Sequence, residues 1–175
     1  MVIVTGNKNK LEEIKKFVDI PVKELDFKEI KANNPVLIAL YKAKEAQEKL
    51  SEDVIVEDVT MYVNNKFYPD IKVKQNELKE DDYVELVLTI AKSENGKVKI
   101  VSRRLKGVIH KDKCQKYDFG FDNVFFVLDK ECLGDYKQKH PLRNIYREVY
   151  LNDLHYDYIF DLNSIKNWEK DFQNA

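Results

Sequence analysis

The chain has 175 residues, 43% of them hydrophobic and 35% charged, with 30 basic against 31 acidic side chains. That length predicts one domain, residues 1–175, able to bury its own core, and the hydrophobic share excludes a disordered chain. A net charge of −1 argues against a nucleic-acid or membrane partner, and no apolar run approaches the ~20 residues of a bilayer span.

The opening residues 1–6 are apolar at once, without a basic segment or a small-residue cleavage site. They read as a buried strand rather than a signal peptide, which makes the cytoplasm the expected location. The run breaks at Gly6-Asn7, and Leu11, Ile14, Phe17 and Val18 then recur at helical spacing, predicting an amphipathic helix over 8–18. Pro21 opens an extended stretch over 22–27. A loop through Glu29 and Asn33-Asn34-Pro35 leads into a helix over 36–50, rich in alanine and long side chains. Residues 53–63 form a strand, with Val54, Ile55 and Val56 bunched as in a buried centre. Residues 64–81 read as polar and irregular.

Two β-rich runs, 82–93 and 97–110, flank Asn95-Gly96, a strong hairpin signal. Leu86, Val87 and Ile90 also fit a helical period, but Tyr83, Val84, Val87 and Thr89 favour strand. A strand over 124–128 and a helix over 143–154 follow, and residues 155–175 mix aromatic and charged residues without a period. Cys114 and Cys132 suit neither a disulfide framework nor a four-ligand zinc site, and are expected as free thiols of a reducing compartment. The alternation of strands and helices predicts an α/β fold, with a mixed sheet, flanking helices and a long antiparallel hairpin.

Four groups of residues carry candidate chemistry. Thr5-Gly6-Asn7-Lys8-Asn9-Lys10 ends a strand and opens a helix, where free backbone N–H groups and a positive helix end suit an anion. An ordinary helix cap by Asn7 or Asn9 explains the same residues. Glu57-Asp58 follow a buried apolar run at the place where open α/β sheets bring their ligands. With Glu29, a carboxylate there can hold Mg²⁺ against phosphates, although a solvated strand end also accounts for the pair. Tyr117–Asp122 sets aromatic side chains around Gly120, fit for stacking on a base or for filling a core. Lys137, Lys139, His140 and Arg143 make a basic cluster before and into a helix, which a solvated face explains equally.

In this order the motifs resemble the inosine triphosphate pyrophosphatase family. TGNKNKLEE is similar to its TGN-x-x-K-x-x-E signature, VIVEDVTMYV to its strand ending in an acidic pair, and DFGFDNVF to its F-G-aromatic-D-P-x-F segment. The resemblance spans roughly residues 1–150. It implies a strongly twisted central sheet with an active-site cleft between two lobes. The implied activity is Mg²⁺-dependent hydrolysis of deaminated purine triphosphates such as ITP, dITP and XTP to the monophosphate and pyrophosphate. Thr5, Gly6, Asn7, Lys10 and Lys42 would hold the triphosphate, and Glu29 and Asp58 the metal. Asp58 would orient the attacking water, with Glu57 and Lys10 completing the catalytic group. Phe119 would stack on the base, with Gly120, Phe121 and Asp122 framing it. Lys137, His140 and Arg143 would read its edge, and Lys72 is a further candidate contact. Members commonly pair, so a homodimer is the expected assembly.

The chain departs from the pattern in its base-reading half. Val59-Thr60-Met61 follow the acidic pair, residues 64–81 lack glycine, Asn123 replaces a proline, and Pro141-Leu142 precede Arg143 where serine and histidine are usual. Buried polar groups that read a base discriminate strongly, so these changes bear on which nucleotide is taken. Two alternatives stay open: turnover of another or modified nucleotide, and a protein that binds and sequesters its nucleotide.

Overall fold

The computed structural model describes residues 1–118 and 120–173, and of Lys72 and Val73 the backbone alone. In chain order the elements are β1 (Val2–Val4), α1 (Lys8–Lys15), β2 (Val22–Lys23), α2 (Pro35–Leu50), β3 (Val54–Val63), β4 (Lys66–Tyr68) and α3 (Ile71–Gln75). They continue as β5 (Tyr83–Glu94), β6 (Lys97–Ile109), β7 (Phe125–Val127), β8 (Glu131–Cys132), α4 (Leu133–Lys139), α5 (Ile145–Leu151) and β9 (Tyr158–Asp161). The hydrogen-bonded strand order is β2-β1-β3-β5-β6-β7-β8, with β4 on β3 and β9 on β6. β1 runs parallel to β2 and β3, while β4, β7, β8 and β9 pair antiparallel, so the fold is α/β with a mixed sheet. The chain divides into two compact units.

The first unit holds residues 1–58, 89–102 and 143–175. Its core packs Val2, Val4, Val54 and Val56 against Ala39, Leu40, Ala43 and Ala46 of α2, with Ala91, Val98 and Ile100 closing the layer. Small alanines on one face let α2 lie close to the strands, and each buried valine, leucine or isoleucine contributes roughly 1.5–3 kcal/mol. Asn34 starts α2 by accepting from the N–H groups of Val36 and Leu37, and Ser51 ends it in the left-handed region at φ 52°. The hairpin turn Asn95-Gly96 has φ 52° and 75°, the pair of positive values that a two-residue type I′ turn needs.

The second unit holds residues 59–88 and 103–142. Met61, Val63, Leu78, Val84, Leu86, Ile109, Phe121, Phe125, Val127 and Leu133 form its core. At Gly107 a side chain would strike the Phe126 carbonyl oxygen, which is why that position on β6 carries none.

Several elements differ from the sequence reading. β2 stops at Lys23 instead of continuing to 27, because its partner β1 is only three residues long and the last bond runs from Thr5 N–H to Lys23 O. Residues 64–81 are not irregular: Asn64-Asn65 turn at φ 48° and 69°, and β4 folds back on β3 with Met61 opposite Tyr68. Asparagine tolerates the left-handed region, so this turn forms without glycine. The helix expected over 143–154 starts as a 3₁₀ turn at Leu142–Asn144 and ends at Asn152, at φ 56°. β8, α4 and β9 were not foreseen; β9 gains its partner only when Lys97–Ile100 of β6 is beside it.

Candidate active site

Glu57 and Asp58 lie within β3, and successive strand residues point to opposite faces. Their carboxylates are therefore separated into two environments within the first unit, and both are buried, at 3% and 8% exposure.

Glu57 is the centre of an ion-pair network. Arg143 donates to it through Nε at 3.0 Å and Nη2 at 2.8 Å, and the Tyr146 hydroxyl donates at 2.7 Å. The Lys10 ammonium stands 3.3 Å away, and Arg143 Nη1 reaches Glu13 at 2.6 Å. Burial pushes the Glu57 carboxyl up, but the charges of Arg143 and Lys10 and the bonds from Arg143 and Tyr146 overcome it. The group sits well below the usual carboxylate range. Burial also opposes the charge on Arg143, and Glu57 and Glu13 more than restore it.

Asp58 is the opposite case. Its Oδ1 is 4.0 Å from the Lys42 ammonium, which also contacts Glu29 at 3.2 Å. Its Oδ2 is buried without a hydrogen-bond partner. Burial raises the carboxyl to about 7; Lys42 and Lys10 pull it down, and Glu29 and Glu57 push it up. An orphaned buried oxygen is costly, and such groups in folded chains call for a specific reason. Two carboxylates around one ammonium, with a free buried oxygen, make a donor set of the kind that hard divalent cations take. Glu29 and Asp58 thus fit a hard divalent cation.

At the start of α1, Asn7 Oδ1 accepts from Asn9 N–H at 2.9 Å and Lys10 N–H at 3.4 Å, while Thr5 Oγ accepts from Asn7 N–H. The cap reading of this turn is thus realised in the structure, and the Asn7 amide can still donate. A side chain at Gly6 would meet only the Leu25 carbonyl oxygen, at 3.7 Å, so no protein atom demands glycine there.

The remaining candidates belong to the second unit, apart from Arg143. Gly120 has φ 51°, Phe121 is buried in the core, and Asp122 is buried and paired with Lys137 at 2.8 Å. His140 caps the end of α4 and packs its ring on Tyr136. The expected stacking by Phe119 and the expected substrate contact of the Lys72 side chain lie outside the described residues. Cys114 and Cys132 are free and buried, with their sulfurs 3.0 Å apart. Also in this unit, Glu80, Asp81 and His110 gather their ligand-type atoms within 4.8 Å, but both His110 nitrogens already face carboxylates, those of Glu80 and Asp129.

Lys10, Glu57 and Arg143 are therefore brought together in one cluster and Glu29, Lys42 and Asp58 in another, with the Lys10 charge felt by Asp58 as well. Glu13 and Tyr146 join them without having been singled out. Glu13 ends the TGN-x-x-K-x-x-E run, and Tyr146 is three residues after Arg143, so both carried a legible signal.

This arrangement of buried carboxylates and ammonium groups beside β3 has the charges to suit a polyanion and a divalent cation on an α/β scaffold. The same fold occurs in a HAM1 protein from Coxiella burnetii, at TM-score 0.64 and 18% identity, covering 87% of this chain and 98% of that one. The Staphylococcus aureus Ham1 protein matches at 0.61 and 18%, covering 86% and 95%. A nucleoside-triphosphatase, dITP/XTP pyrophosphatase, from Mycobacterium abscessus matches at 0.59 and 16%, covering 87% and 98%. Among curated proteins, none matches this chain by sequence. Residues 1–66, which carry Lys10, Glu29, Lys42, Glu57 and Asp58, match the model of the Ham1 family.

Proposed function

We propose that this chain is a nucleoside-triphosphate pyrophosphatase of the Ham1, or inosine triphosphate pyrophosphatase, family, acting in the cytoplasm on deaminated purine nucleotides with Mg²⁺. The observation that carries this reading is the buried, unpartnered Oδ2 of Asp58 beside Lys42 and Glu29. The match over residues 1–66 supports it independently.

Each residue then has a role set by its surroundings. Glu29 and Asp58 would hold Mg²⁺, which supplies neutralisation of phosphate charge when bound. Lys10 and Lys42 carry the positive charge that holds the triphosphate and stabilises the leaving pyrophosphate, helped by the start of α1 and Thr5 and Asn7. Asp58, whose carboxyl burial raises to about 7, orients a water as the carboxylate and takes its proton as the oxygen bonds to the α-phosphorus. The bond from that phosphorus to the α–β bridging oxygen breaks, and pyrophosphate leaves. Glu57 serves this chemistry by fixing Lys10; Arg143 and Tyr146 hold Glu57, and Glu13 holds Arg143. Rate comes from positioning and electrostatics. A homodimer remains part of this proposal.

One observation favours a second reading of the base. Arg143, the residue matched to purine reading, is engaged with Glu57 and Glu13. Another or modified nucleotide with the same phosphate chemistry fits that engagement. A nucleotide panel with Mg²⁺, followed for pyrophosphate release and for binding, separates the cases. Turnover of ITP and XTP above ATP and GTP supports the first reading, and turnover of a different nucleotide the second. Tight binding without product would leave a sequestering protein and sink both.

A further inference from the structure

The end of the chain forms a strap across the Glu29 loop. Lys31 N–H donates to Asp171 O and Gln173 N–H to Glu29 O, each at 2.9 Å, and Ile30 pairs antiparallel with Phe172. The Gln173 side chain adds a bond from Nε2 to Ile30 O at 3.0 Å. Upstream, the strap is fastened to α2. Tyr41 Oη donates to Lys166 O at 2.7 Å, Lys44 Nζ donates to Asn167 Oδ1 at 3.1 Å, and Trp168 meets the Tyr41 ring edge-on at 5.3 Å. Lys28 lies over the Phe172 ring at 4.3 Å. Between strap and helix is a cavity of about 190 Å³ whose wall includes Glu29 and Lys42.

Among the described residues, Ile30 to Asn33 contain no helix and only the one bridge to Phe172, and Glu24 to Glu29 lie outside any strand. A loop of this kind explores many conformations when nothing ties it down, and fixing each residue costs conformational entropy. Backbone bonds tie Glu29 to Gln173 and Lys31 to Asp171. We propose that residues 166–173 are a positioning strap for Glu29: they hold its backbone so that its carboxylate is pre-placed beside Lys42 and Asp58 for the divalent cation. Gln173 and Phe172 are the positioning residues. Partners that orient a ligand from outside the coordination shell commonly matter about 10- to 100-fold in metal affinity. This inference rests on the assignment of Glu29 as a metal ligand made above.

The test measures metal binding directly in the full chain, by titrating free Mn²⁺ with electron paramagnetic resonance, for the parent protein, Gln173→Pro, Phe172→Ala and Glu29→Gln. Proline at 173 removes both the N–H bond to Glu29 and the side-chain bond to Ile30 while leaving the core of the unit untouched. Gln173→Pro is expected to weaken Mn²⁺ binding about tenfold, with the thermal midpoint changed little. Phe172→Ala, which keeps every backbone bond, follows in the same direction and stands in if the proline variant fails to fold. If both variants bind Mn²⁺ like the parent while Glu29→Gln is weakened, the strap has no positioning role. If Glu29→Gln also binds like the parent, the metal assignment falls and takes the strap with it.

Discussion

Replacing Asp58 by asparagine should abolish turnover and yet stabilise the fold, with the gain depending on pH. The carboxyl rises from 3.8 to about 7 on folding, chiefly through burial. Because the folded state holds the proton more tightly, stability falls as pH rises from near 4 to near 7, and the full cost is present above 7. At about 1.36 kcal/mol per pH unit, the folded chain bears roughly 4 kcal/mol against ionised Asp58 at pH 8. Asparagine removes that cost, but it leaves Lys42 one fewer counter-charge and buries an amide whose donors need acceptors. The expected net gain is about 2 kcal/mol at pH 8, which is roughly 4–8 °C in thermal midpoint for a chain of this size. At pH 4.5 Asp58 is protonated in the fold and the cost has fallen to about 1 kcal/mol, below the amide's own cost, so the gain should disappear there. Calorimetric melts in chelator at pH 4.5 and pH 8, beside pyrophosphate release with Mg²⁺, make the comparison. A variant that is destabilised equally at both pH values, or that retains turnover, would refute the reasoning.

Three other outcomes follow from the same structure. Glu57→Gln leaves Arg143 buried with only Glu13, and breaking a buried pair from one side costs about 3–5 kcal/mol; a urea midpoint near that of the parent would show that Glu13 suffices. Both nitrogens of His110 lie 2.6 Å from carboxylates, those of Glu80 and Asp129, with Asp81 at 4.0 Å; these bonds raise its pKa, against burial and Lys113. Its stabilisation is present below about pH 6.5 and is lost as pH climbs through the raised folded value. Melts of the parent and His110→Gln between pH 6 and 9 should therefore converge with rising pH, and parallel curves would contradict this. Gly107→Ala forces a methyl onto the Phe126 carbonyl and should destabilise by roughly 1–3 kcal/mol, seen as a lower midpoint; an unchanged melt would mean that β7 yields freely.

Much of the fold was legible because local signals agreed with the global structure. Asn34-Pro35 announced the start of α2, Asn95-Gly96 the hairpin, and Val54-Ile55-Val56 a buried strand. β4, β8 and β9 were not, since strands of two to four residues carry too few positions for a period and exist only through their partners. Among site residues, the motif order pointed to Lys10, Glu29, Lys42, Glu57 and Asp58, and these meet within one unit.

By itself the sequence determined which groups are available: two adjacent acids on a strand, a distant glutamate, and lysines at fixed helical positions. Alternation along a strand and the chemistry of helix starts are local, so residues alone settle them. Only the tertiary structure decided that Arg143 and Tyr146 clamp Glu57, that Asp58 keeps an unpaired oxygen, and that the chain's end reaches back to Glu29. Desolvation and ion pairing depend on what surrounds a group, and residues more than a hundred positions apart in the chain supply those surroundings.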